Sequence, residues 1–389
     1  MGGRPYSYYS AALDLMYNSL NSHMAPQRRV RPRKTHPQLI ADSPDSPPFI
    51  PSWLDRLQDR IEGLPIPPGA TYLFSVVGLS LLMHLPRWLD GSLPRGSLEV
   101  NQLTAAVFPV YFFALIHYLN STARRALANY RPLLDLNAPD YASYEYTLSR
   151  MPRHLGYITI LLGGFLGAVS FFSSPEAWGV RPSFSVVSRG SLLLAALATQ
   201  IIATYWMFQA IRQARTIDRI HRITKRVNVF LHDPIYAFSS LTLRSALGLL
   251  LASYFYLFLA FYLGLAAIPS VLDAVTIGFA TALALAIFFL PLSRMHGHLA
   301  AEKQRLLLDM DERYTHLVER FSREVDKGKF TELDSTARAI ATLASQRELL
   351  ANVSPWPWRP ETLRSLLTTV ALPVILYLAS RLVGRLLGV

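Results

Sequence analysis

Apolar and polar positions along this chain separate into long blocks. Seven apolar segments, at about 69–88, 102–122, 155–173, 191–211, 243–267, 271–292 and 363–386, each approach the roughly 20 residues that a helix needs to cross a bilayer. Between them the pattern is amphipathic. "SWLDRLQDRIEGL" places Trp53, Leu54, Leu57 and Ile61 at helical spacing, with Ser52 available as a cap, which predicts a helix in the membrane interface. After the fourth segment, Ile211, Ile217, Ile220, Ile223, Val227 and Leu231 continue a helical stripe until Asp233-Pro234. After the sixth, Met295, Leu299, Leu306, Met310, Tyr314, Leu317, Phe321 and Val325 recur at spacings of three, four or seven. That spacing predicts an amphipathic helix with a coiled-coil seam. A second such helix is expected from Glu332 to Leu350, capped by Asp334 or Ser335.

The expected fold class is all-α: a polytopic membrane protein of about seven transmembrane helices with helical cytoplasmic extensions. Residues 1–50 read as a disordered basic tail and 51–68 as the interfacial amphipathic helix. A six-helix transmembrane region, 69–292, a cytoplasmic helical region, 293–360, and a C-terminal transmembrane helix, 361–389, follow. Composition agrees, because 51% of residues are hydrophobic and only 16% charged, against about 25% charged in ordinary soluble domains.

Charge orients the chain. The stretches before Gly69 and at 121–153, 209–244 and 293–364 hold 32 of the 38 Lys and Arg, while the alternate loops hold four. Cytoplasmic loops carry such an excess, so the amino terminus is expected in the cytoplasm and the protein in the plasma membrane, with the lipid bilayer as its first partner. The formal charge of +12 is spread along segment flanks and does not form a nucleic-acid patch. Zero cysteines exclude disulfides and thiolate chemistry.

Candidate chemistry is sparse. His296 and His298, two apart on a helix, point to opposed faces, and Asp309 and Asp311 diverge likewise. No catalytic, cofactor-binding or metal residue is assigned and no cofactor is expected. His84 and His117 sit at segment ends, where polar tips meet water. Small-residue ridges run through Gly163 and Gly167, Gly164 and Ala168, and Ala274, Gly278, Ala282 and Ala286. Such ridges allow close helix approach. Thr199, Gln200, Thr204, Tyr254 and Tyr256 are polar groups within apolar segments, placed either as interhelical hydrogen bonds or as an intramembrane pocket. On the last segment Thr362, Ser365, Thr369, Pro373, Ser380 and Gly384 share one face, interrupted by Leu366 and Leu376 and bordered by Tyr377. Either this stripe packs against segments three or six, or copies of the helix around an axis would line a pore with it. Pro373 would provide a kink, and Arg381 and Arg385 cationic rings at the outer mouth.

In topology residues 69–389 resemble the insect odorant and gustatory receptors. That resemblance implies seven helices, a cytoplasmic amino terminus and a terminal pore-lining helix in a tetramer. The Thr-Tyr…Gln-Phe motif of those receptors has no counterpart in "TTVALPVILYLAS", and no residue role is carried over. The function expected is a homo-oligomeric ion channel or channel-like receptor. The alternatives are a signalling or scaffold protein that binds a cytoplasmic protein partner through its helices, and a small-molecule transporter.

Overall fold

A computed structural model describes residues 47–224, 232–262, 271–327 and 330–372. Those residues are helical throughout, with no strand beyond an isolated antiparallel bridge between Pro51 and Pro152. In chain order the helices are α1 (Trp53–Glu62), α2 (Pro68–Leu89), α3 (Val100–Tyr130), α4 (Ala138–Ser149), α5 (Arg153–Ser173), α6 (Val186–Ile223), α7 (His232–Ile235), α8 (Ala237–Tyr262), α9 (Val271–Asp326) and α10 (Phe330–Asn352). A terminal helix is described from 360 to 372.

Within the described residues six helices are long and apolar enough to cross a membrane: α2, α3, α5, α6, α8 and α9. Their outward faces are greasy. Leu73, Phe74 and Leu82 on α2, and Leu161, Phe165 and Phe172 on α5, are each at least half exposed. In water such continuous apolar faces would be an aggregation hazard; against acyl chains they cost nothing. α3 is the most enclosed span, burying Ile116, Leu119, Ala123 and Leu127 against α2, α6 and α8.

Local chemistry sets several helix starts. Ser52 and Asp55 form a reciprocal capping box on α1, and Asn137 and Ser185 accept from the third residues of α4 and α6. Such caps satisfy amide groups that have no partner inside the helix. Pro68 opens α2 at a position where its missing N–H is no loss.

The α5 ridge is used within the chain. A Cβ on Gly163 would lie 2.5 Å from Ile201 Cα, and one on Gly167 3.0 Å from Leu197 Cα. Only glycine allows α5 and α6 to approach this closely. Gly164 and Gly278, by contrast, meet nothing within 4 Å among the described residues.

Several boundaries depart from the sequence expectation. α6 is helical to Ile223, where Thr224 turns extended and its hydroxyl bonds Ile220 O and Tyr130 OH at 3.0 Å each; the expected stripe positions Val227 and Leu231 lie outside the described residues. The second hairpin helix begins at Phe330, so Asp334 and Ser335 lie inside it and do not cap it. α4 was not expected at all. At about 1.5 Å per residue, the 56 residues of α9 make a rod of about 84 Å, more than twice the roughly 30 Å hydrocarbon core. α10 folds back along its far part, tied by Thr336 Oγ1 to Glu324 (3.0 Å), Arg347 to Asp311, and Lys303 Nζ to Ala351 O (2.6 Å). The α9 stripe is divided: Met295, Leu299 and Met310 are buried, whereas Tyr314 and Val325 are over a third exposed.

Candidate functional site

Polar side chains are buried at both ends of the bundle, and each end has its own chemistry. At the first, residues 50–52 run against the α4–α5 junction: Ser52 N donates to Met151 O (2.9 Å) and Arg153 N to Ile50 O (3.0 Å). α1 follows, and its docked face is wider than the pattern drew it. The sequence pattern assigned Trp53, Leu54, Leu57 and Ile61 to its apolar side. The structure buries Leu54 and packs Trp53 and Ile61 on the same core, but it also buries Asp55 and Gln58 and leaves Leu57 39% exposed.

Asp55 is wholly buried. Its Oδ2 accepts from Ser52 N (3.1 Å), Ser52 Oγ (2.7 Å) and Met151 N (3.0 Å), while Ser52 Oγ also meets Tyr205 OH at 2.8 Å. Burial pushes the Asp55 carboxyl above its usual 3.8, and the hydrogen bonds from Met151 and Ser52, with the nearby Arg150, offset part of that rise.

One helical turn further, Gln58 starts an amide chain. Asn120 Nδ2 donates to Gln58 Oε1 (3.2 Å), and the Gln209 and Gln213 amides both donate to Asn120 Oδ1 (3.1 and 3.3 Å) and to Leu148 O. Four helices, α1, α3, α4 and α6, thereby share one network. A crevice opens beside it, with about 210 Å³ of empty space including its mouth, bordered by Gln58, Glu62, His117, Asn120, Arg124 and Arg150. His117 is not simply a water-facing tip as expected: Nε2 meets Glu62 Oε1 at 2.7 Å, and Nδ1 bonds Tyr72 OH. Arg150 pairs with Asp59 at 2.6 Å, and Arg124 stands 3.8 Å from Glu62.

The opposite end is ionic. Arg87, 1% exposed, pairs with Glu99 and lies 4.0 Å over the Phe184 ring, and Arg181 reaches the same carboxylate at 3.0 Å. Here too the expectation of a water-facing histidine is corrected. His84 is fully buried, its Nδ1 is 2.7 Å from Ser80 O, and its Nε2 accepts from Glu99 N at 3.0 Å. Asp90 accepts from Ser188 Oγ (2.7 Å) and Ser92 N (2.9 Å). Hydrogen bonds from Ser185, Ser92 and Ser188 hold its carboxyl well below the usual carboxylate range.

The terminal helix is reached through an aromatic clamp. Trp356 stacks on His296 (centroids 3.7 Å apart) and on Trp358 (4.3 Å), and Trp358 packs against Phe288 and Phe289 of α9. Beyond it Leu366 is buried, with Leu363 and Val370 packed on the same core. Ser365 is exposed, and Thr362 and Thr369 sit half-buried at the edge of that apolar face. Pro373, Tyr377, Ser380, Arg381, Gly384 and Arg385 lie outside the described residues.

The suggested intramembrane pocket residues do not border the crevice beside Gln58. Thr204 is buried, Thr199 Oγ1 is enclosed without a partner among the described residues, and Gln200 lies where α5 crosses α6. Tyr254 and Tyr256 are on α8, with Tyr256 44% exposed. Asp309 pairs with Arg313 and Asp311 with Arg347, and among the described residues no group of three or more His, Asp or Glu could hold a metal. The Asp55 and Arg87 networks were missed by sequence reasoning. The Ser52-x-x-Asp55 capping box was the one local signal pointing to the first.

Comparison with family models, curated proteins and solved structures finds no match. The topological resemblance to insect chemoreceptors therefore assigns no residue here.

Proposed function

We propose that this is a homo-oligomeric ion channel or channel-like receptor of the plasma membrane, with the terminal helix as a seventh span lining the path. In this reading the amino terminus and the α9–α10 hairpin are cytoplasmic. The observation that supports it is the amphipathicity of the terminal helix. Leu363, Leu366 and Val370 pack on its own bundle, Leu367 and Leu372 are about half exposed, and Ser365 stands outward with Thr362 and Thr369 at the edge. Thr369 Oγ1 already donates to Ser365 O at 2.8 Å, and around a symmetry axis the outward sides of these hydroxyls meet water or one another as well. Planar-bilayer recording of the purified protein tests the proposal, with conductance and an oligomeric mass in detergent expected. Silence together with a strictly monomeric mass ends it.

A second reading, a scaffold for a cytoplasmic protein, draws on the half-exposed Tyr314, Val318 and Val325 of the hairpin. It is favoured if a soluble partner binds stoichiometrically and deletion of 293–350 abolishes that binding.

A further inference from the structure

We propose that the crevice between α1, α3 and the α4–α5 junction holds a phospholipid headgroup that combines a phosphate with a primary ammonium, as in phosphatidylethanolamine. Depth is the first argument. At about 1.5 Å per residue, His117 lies about 26 Å and Arg124 about 36 Å along α3 from Val100, bracketing the edge of a roughly 30 Å hydrocarbon core. A headgroup occupies that level.

The second argument is an unmet donor. Gln58 is 97% buried, borders the crevice, and its Nε2 has no partner among the described residues. A buried N–H without an acceptor is costly, and the crevice floor has room for one oxygen-sized group. A phosphate oxygen placed there accepts from Gln58, with the rest of the phosphate at the mouth between the Arg124 and Arg150 guanidinium groups. The 3.8 Å separation of Arg124 from Glu62 is too long for a hydrogen bond, so the pair can open around an inserted group.

Charge selects the class. The two arginines are matched by Asp59 and Glu62, so the site is neutral but has separated signs. A bare anion gains little there. A zwitterion places its phosphate by the arginines and its ammonium N–H groups on Glu62, which is 39% exposed. A quaternary ammonium has no N–H to give. Exposed Leu64 and Tyr118 neighbour Glu62 and His117 in the chain and offer apolar surface to the lipid tails.

This inference rests on the six spans lying in a bilayer and is independent of any oligomer. Native mass spectrometry of the full chain in detergent, with phosphatidylethanolamine, phosphatidylcholine, phosphatidylglycerol or inorganic phosphate added, tests it. Phosphatidylethanolamine is expected to bind about tenfold tighter than phosphatidylcholine, and Arg124→Gln to remove about tenfold of that affinity, the worth of a charge-assisted hydrogen bond. Gln58→Leu provides a second, buried variant. Equal retention of the ethanolamine and choline lipids overturns the proposal. So does inorganic phosphate or phosphatidylglycerol binding as tightly as phosphatidylethanolamine, or an Arg124→Gln protein that retains the lipid unchanged. Purification as a soluble protein without detergent would instead defeat the membrane reading itself.

Discussion

The two ends of the bundle bury polar groups in opposite ways. The α1 end buries amides and one carboxylate, with Gln58, Asn120, Gln209 and Gln213 linked in a chain and Asp55 hydrogen-bonded to Ser52 and Met151. It keeps its Arg150–Asp59 and Arg124–Glu62 pairs at the more open crevice mouth. The other end relies on formal charge, with Arg87 and Arg181 converging on Glu99. A neutral network loses little when water enters, since amides exchange one partner for another. An enclosed ion pair depends on both members remaining in place. The α1 end is therefore fitted to a segment that docks, and the ionic end to one that locks the α2–α3 and α5–α6 loops.

Removing one half of the ion pair tests this contrast most severely. Arg87→Ala strips Glu99 of its buried partner and is expected to cost about 3–5 kcal/mol, as for other buried pairs broken on one side. Thermal unfolding in detergent measures it, and a cost below that of any change at the α1 end would reverse the ranking. Next in size is Asp55→Ala. It leaves the Ser52 and Met151 N–H groups without an acceptor, at about 1–3 kcal/mol for each buried group left unpaired, and returns part of this by removing a carboxyl whose own burial is unfavourable. Hydrogen exchange should rise at residues 50–62 and 150–153 and stay unchanged around Glu99.

The smallest expected effect is a pH response of opposite sign at the two ends. Asp55 has a folded pKa raised above 3.8, so its contribution is most favourable below 3.8 and is lost as pH rises through the folded value. Asp90 has a depressed folded pKa, so its contribution is present above 3.8 and is lost as pH falls through the folded value. Acidification from neutrality to about pH 4 should thus protect the α1 strap while leaving the Asp90 loop, at most, slightly looser. Asp55→Asn should abolish the protection. Parallel loosening at both ends would contradict the assignment.

The spans were legible because lipid imposes a length and a composition that no tertiary partner has to supply. The polar ends were not. In "SWLDRLQD" the aspartate and glutamine look like the wet face of an interfacial helix. They turn inward only because Ser52, Met151, Tyr205 and Asn120, scattered over more than 150 residues of chain, arrive as their partners. α4 escaped notice for the same reason: its amphipathicity is weak, and the residues it buries, Leu148 and Ser149, come at its very end. On the terminal helix the stripe was legible as a pattern, and its first half lies at the edge of the packed face. The ridges through Gly163 and Gly278 read alike in sequence, yet one is filled by α6 and the other, at Gly278, meets no described residue within 4 Å, since spacing alone carries no information about what crosses it.

α9 runs without a helical break from Val271 to Asp326, through Pro291. A long helix held along part of its length behaves as an oar in its rowlock: a small tilt at the greasy blade becomes a longer sweep at the handle. Since Trp356 and Trp358 grip α9 beside Pro291, close to the fulcrum, the terminal helix they lead into is placed to feel the turning and very little of the sweep.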